Sequence, residues 1–237
     1  LRTVFPLARP RLRPTAGAVV LWLGIYAPVL LVAILMQLLL PQHTAEVSTS
    51  ITGLISTVPL WLRFLIVAVS PAICEEAVYR GFILHHLGVL PPWARVLLCG
   101  ALFGVFHLDV TRFGSTALLG VALSWAAVCT GNLFYPALIH LCNNSVSVLA
   151  TVALEMAAEA APEAVATGAE AAAAVTPATL GAYFLLCAPS PWLLWAGTAL
   201  LQTGAPRRPG RAKRACLCLV LTLALLAVGF ALILSQG

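Results

Sequence analysis

The 237-residue chain is 61% hydrophobic and only 9% charged, with a mean hydropathy of +1.00; an ordinary soluble domain is roughly 45 to 50% apolar and is excluded. Several apolar stretches reach the ~20 residues that cross a hydrocarbon core of about 30 Å, and the alternation of a membrane barrel is missing, so an all-α, polytopic transmembrane helical bundle is expected, a single membrane domain over residues 1–237. The net charge of +5 sits in clusters at helix ends, where membrane topology accounts for it and a nucleic-acid partner is not needed.

In chain order, about seven spans are predicted, near 16–40, 59–87, 94–108, 114–130, 133–154, 178–203 and 215–235. The first follows Arg2, Arg9, Arg11 and Arg13 as in a signal peptide, but its apolar run is too long and has no small-residue cleavage site, which reads as an uncleaved helix. The second is long for one span, and Pro71 is placed to kink it. Pro91-Pro92, Gly114 and Gly131-Asn132 mark short turns, so the middle helices pack antiparallel. Residues 155–176, alanine-rich with Glu155, Glu159, Glu163 and Glu170, read as an acidic extramembrane loop, followed by additional C-terminal membrane helices over 178–235. A basic loop at 204–214 carries Arg207, Arg208, Arg211, Lys213 and Arg214. With an odd number of spans, a cytoplasmic N-terminus puts both basic clusters inside and the acidic loop outside, as expected for an inner-membrane protein of the cell. The seven cysteines lie almost all in apolar runs and read as small buried hydrophobes.

Against this apolar background stands Glu75-Glu76-Ala77-Val78-Tyr79-Arg80. A charge at membrane depth is unfavourable by roughly 2.5 to 3.5 kcal/mol on insertion scales, so such residues are usually functional. Glu76 and Arg80 are four apart and share a helix face, acid before base; Glu75 is turned by about 100° from Glu76 and is left as the freer carboxylate. The competing reading, a wet cytoplasmic helix end, is disfavoured because the apolar run resumes at Gly81 to Leu84, before His85 and His86 at the interface.

Two histidine segments follow. Phe103-Gly104-Val105-Phe106-His107 puts His107 at the end of an apolar helix one turn from Phe103, and Asp109 either orients His107 or marks the next helix boundary. His140 and Asn144, four apart, face one cavity, either as interhelical glue or as donors to a developing oxyanion. A carboxylate in a low-dielectric site becomes more basic, so Glu75 suits a general base acting on water. His-Glu-x-x-His, Gly-x-Ser-x-Gly and phosphate-loop motifs are absent. At ~1.5 Å per residue Glu75 and His107 lie about 18 to 20 Å from the inner helix ends and His140 about 10 Å, so the predicted ends need adjustment.

The ordered set Glu-Glu-x-x-x-Arg, Phe-x-x-x-His and His-x-x-x-Asn resembles the CPBP family of intramembrane proteases, also called the Abi or type II CAAX prenyl endopeptidase family, over a motif core at about 59–150. The resemblance implies an intramembrane endopeptidase acting on a peptide bond of a membrane-associated or prenylated peptide. It implies catalytic Glu75 and His107 activating water, His140 and Asn144 stabilising the oxyanion, and Glu76 with Arg80 completing the first motif, Arg80 as its structural charge partner. Family members are described both as metal-free glutamate proteases and as metalloproteases, so either no metal or a divalent ion such as zinc is implied. The expected partners are membrane lipid and a peptide or lipidated-protein substrate. The alternative is a non-catalytic CPBP-like binding subunit associated with another membrane protein, and a proton-relaying transporter ranks below both.

Overall fold

The computed structural model describes residues 3–46, 53, 57–163, 175–202 and 210–235. Among these it is all-helical, with no strand. The long helices are α1 (Leu12–Leu39), α2 (residues 60–86), α3 (Pro92–Val105), α4 (Val110–Thr130), α5 (Phe134–Ala160), α6 (Pro177–Cys187), α7 (Ser190–Leu201) and α8 (Arg211–Leu234). By length and composition five segments can cross a membrane: α1, α4, α5, Pro177–Leu201 taken together, and α8. The predicted seven spans therefore reduce to five with that property, with α2, which carries the charged motif, and the 14-residue α3 packed among them. At about 1.5 Å per residue α3 is too short for a full crossing.

Helical winding runs through Pro71 without a break. α2 is wound as α over Leu60–Arg63, π over Phe64–Val69, α over Ser70–Glu76, π over Ala77–Ile83 and α over Leu84–His86. In the π segments the N–H of Ser70 reaches the Leu65 carbonyl and that of Leu84 reaches Tyr79, each five residues back. Wider winding advances less per residue, so Ala77–Ile83 covers less length along the axis than seven α-helical residues would. Single π turns are rare and concentrate at functional sites. These two flank the glutamate pair.

Small residues bring the helices together. A Cβ on Gly197 would lie 2.6 Å from the Leu21 backbone nitrogen, locking α7 onto α1, and one on Gly181 would lie 2.6 Å from the Gly229 carbonyl, locking α6 onto α8. Where apolar lipid removes the hydrophobic drive for helix association, such close backbone approach supplies packing energy instead. Between α3 and α4 a Cβ on Gly100 would meet the Val121 nitrogen at 2.7 Å, and one on Gly120 the Gly100 Cα at 3.0 Å. Gly100→Val is expected to push α3 off α4 and destabilise the protein by about 1 to 3 kcal/mol, read as a lowered Tm in detergent. An unchanged Tm would show that α3 does not pack on α4 in this way.

The main core joins α1, α4, α5 and α7 through Leu21, Ile25, Leu119, Leu123, Ile139 and Leu201. A second cluster, Tyr79, Leu84, Cys99, Phe103 and Ala127, joins α2, α3 and α4. The arginine-bearing N-terminal segment lies across the α4–α5 turn. Leu133 N–H donates to the Pro6 carbonyl (2.9 Å), Asn132 Nδ2 to Ala8 (3.0 Å), and Arg11 N–H to the Tyr135 hydroxyl (3.0 Å). Gly131, at φ 60°, makes that turn in the left-handed conformation glycine favours.

The predicted acidic loop starts later than expected. α5 continues to Ala160, so Glu155 and Glu159 are helical. Arg63 Nη1 holds the Glu155 carboxylate at 2.6 Å, tying α2 to α5. Glu170 lies outside the described residues, as do Arg207 and Arg208 of the basic loop; Arg211, Lys213 and Arg214 open α8.

Candidate active site

Glu76 and Arg80 face inward from α2, where the Glu76 carboxylate is 1% exposed and Arg80 3%. Four residues apart, they form a charge-assisted bond, Arg80 Nη1 to Glu76 Oε1 at 2.9 Å. Burying such a pair is tolerable only when the remaining donors are satisfied. α4 does this: Nη2 donates to the Gly120 carbonyl at 2.8 Å and Nε to the Ser124 hydroxyl at 3.4 Å. The guanidinium also lies over the Phe103 ring, 4.6 Å from its centroid, a favourable cation–π placement in a dry interior.

His140, on α5 and 3% exposed, closes on the same carboxylate, with Nδ1 2.8 Å from Glu76 Oε1. Opposite the Arg80 guanidinium, Glu76 Oε1 serves as the acceptor, so His140 donates from Nδ1. Its Nε2 is thereby turned outward, 3.9 Å from Glu75 Oε2. His107 is set in the same way. It lies in the turn after α3, and its Nδ1 is 2.8 Å from the Phe103 carbonyl, which can only accept, so Nε2 again carries the free lone pair. The Phe103 ring meets both imidazoles edge-on, at 4.9 Å from His107 and 5.7 Å from His140.

Glu75 is different. Its side chain is 37% exposed, yet Oε2 is buried and has no hydrogen-bond partner. No hydrogen bond or ion pair joins it to His107; the imidazole nearest to Glu75 is that of His140. The adjacent acids thus differ: Glu76 Oε1 takes both Arg80 and His140 while its Oε2 is buried without a partner, and Glu75 Oε2 faces the His140 Nε2.

Asn144 donates from Nδ2 to the Val67 carbonyl at 2.9 Å. The acceptor has a local origin, since Val67 is four residues before Pro71, which has no N–H to offer it. Asp109 takes the boundary role of its two readings. As N-cap of α4 it accepts from the Thr111 amide (2.9 Å) and hydroxyl (2.7 Å). Burial opposes its charge, but the two Thr111 bonds and nearby His43 and Arg112 outweigh this and hold its carboxyl below the usual range. His85 and His86 are exposed.

The Arg80 anchors on α4, Gly120 and Ser124, were not foreseen. Their i, i+4 spacing is visible in the sequence, but nothing local relates α4 to α2. Phe103 was noted only as a neighbour of His107, yet it is the floor shared by Arg80, His107 and His140. No group of three His, Cys, Asp or Glu side chains able to hold a metal ion forms among the described residues.

Charged groups and histidines held together among apolar helices define a polytopic helical membrane protein with a buried polar centre. Residues 57–146 match the family model described as Rce1-like, type II CAAX prenyl endopeptidase, a similarity to the CAAX-type proteases over the segment that contains every residue of the centre. No curated protein and no solved structure matches the chain.

Proposed function

We propose that the protein is an intramembrane endopeptidase that hydrolyses a peptide bond of a membrane-associated or prenylated CAAX-type peptide with a water activated by Glu75. The observation that carries this reading is the Oε2 of Glu75, buried without a hydrogen-bond partner and 3.9 Å from the His140 Nε2, on a carboxylate that is not tied to Arg80 as Glu76 is. Glu75 takes a proton from water as the oxygen attacks the carbonyl carbon, with the His107 Nε2 lone pair orienting that water. The oxyanion is met by the His140 imidazole and by the second Nδ2 hydrogen of Asn144. Collapse breaks the C–N bond, and Glu75 returns its proton to the leaving nitrogen. Donors of this kind are each worth about 2.7 to 4 kcal/mol of transition-state stabilisation. The mechanism uses only the chain's own groups and water.

The test is mass spectrometry of farnesylated and unmodified CAAX-terminated peptides incubated with the full chain in lipid nanodiscs, in heavy-oxygen water. A shortened peptide with one heavy oxygen in its new carboxylate is expected, at a rate unaffected by a chelator. Activity lost to a chelator and restored by zinc would overturn the metal-free route, and no cleavage of either peptide would overturn the substrate class.

A further inference from the structure

We propose that the end of the bundle carrying the N-terminal segment holds a binding site for the phosphate of an anionic phospholipid headgroup. Two adjoining cavities lie there. One, of about 200 Å³, is bounded by Thr3, Val4 and Pro6 of the N-terminal segment together with Arg80, His85 and Arg95. The other, of about 410 Å³, is bounded by Arg9, Arg11 and Tyr135 and shares Gly131 and Asn132 with the first. Arginine and histidine line them, and no aspartate or glutamate does.

Within the first cavity the two arginines differ. Arg80 has each guanidinium nitrogen committed, to Glu76, Gly120 and Ser124. Arg95 forms no ion pair, and its Nε is buried with no hydrogen-bond partner. A buried guanidinium donor with no acceptor is an unfavourable feature unless an anion meets it, and the planar fork of arginine suits a phosphate oxygen pair.

Place and charge select the occupant. Both cavities sit where the connection between α2 and α3 and the α4–α5 turn come together beneath the N-terminal segment, at the level where spanning helices give way to loops. Exposed Arg9, Arg11 and Arg13 extend the positive field along the same edge. Basic pockets between membrane helices at this level, flanked by a juxtamembrane basic cluster, take phospholipid headgroups. The inference is independent of the proposed peptidase activity.

The probe is dioctanoyl phosphatidylglycerol titrated onto the detergent-purified full chain, followed by thermal unfolding and by the fitted Kd. Saturable stabilisation is expected; Arg95→Gln is expected to raise the Kd at least tenfold, and the exposed, remote Arg112→Gln to leave it unchanged. Equal binding of dioctanoyl phosphatidylcholine, equal stabilisation by inorganic phosphate alone, equal binding of a peptide carboxylate, or an unchanged Kd in Arg95→Gln would each overturn the proposal. Should Arg95→Gln fail to fold, the double variant Arg9→Gln with Arg11→Gln takes its place: a Kd raised at least threefold supports the site, and an unchanged Kd overturns it.

Discussion

Glu75→Gln is expected to lower the rate of peptide hydrolysis by about 10²- to 10⁴-fold, the range that a general base contributes, and to leave the Tm within about 0.5 kcal/mol of the parent. The two halves of this expectation share one origin. Glu75 Oε2 makes no hydrogen bond and the side chain is more than a third exposed, so the amide breaks nothing that holds the helices together. It does remove the carboxylate oxygen that faces the His140 Nε2 at 3.9 Å. The measurement is a single-turnover rate with the CAAX-terminated peptide, paired with thermal unfolding of the same preparation. Undiminished hydrolysis would remove Glu75 from the mechanism, and a collapse of the fold would show that the residue is structural.

Arg80→Met is expected to do the reverse, destabilising the protein by roughly 3 to 5 kcal/mol because Glu76 is left buried without its counter-ion. Gly120 and Ser124 also lose the donors that join α4 to α2. Adding Glu76→Gln to Arg80→Met removes the stranded charge, so the double variant is expected to be more stable than Arg80→Met alone, giving a coupling energy in a double-mutant cycle. Its hydrolytic rate is not expected to return with its stability, because a neutral amide at position 76 no longer compels His140 to donate from Nδ1. If the single and double variants unfold alike, the pair is not the anchor described here.

The contrast between these neighbours shows what was legible in the chain. Membrane residence followed from composition, and the pairing of Glu76 with Arg80 followed from a helical repeat of 3.6 residues, which relates positions one turn apart whatever surrounds them. The same repeat put Glu75 on another face and set His140 above Asn144. Span counting was less secure: α2 carries too much charge and α3 too few residues for the hydropathy and length tests, yet both belong to the bundle. The depth arithmetic used α-helical rise throughout, whereas α2 is partly π-wound.

The sequence by itself determined which side chains bear chemistry and which of them share a helix face, since these are properties of local geometry. Only the tertiary structure decided that His140 meets Glu76 through Nδ1 and turns Nε2 to Glu75, and that Arg80 is satisfied from α4. It also decided that Asn144 answers the carbonyl left without a partner by Pro71. Each of these contacts joins residues at least 40 positions apart, and their geometry depends on glycine-mediated approach between helices and on the winding of α2. Neither is encoded in the spacing of any one motif.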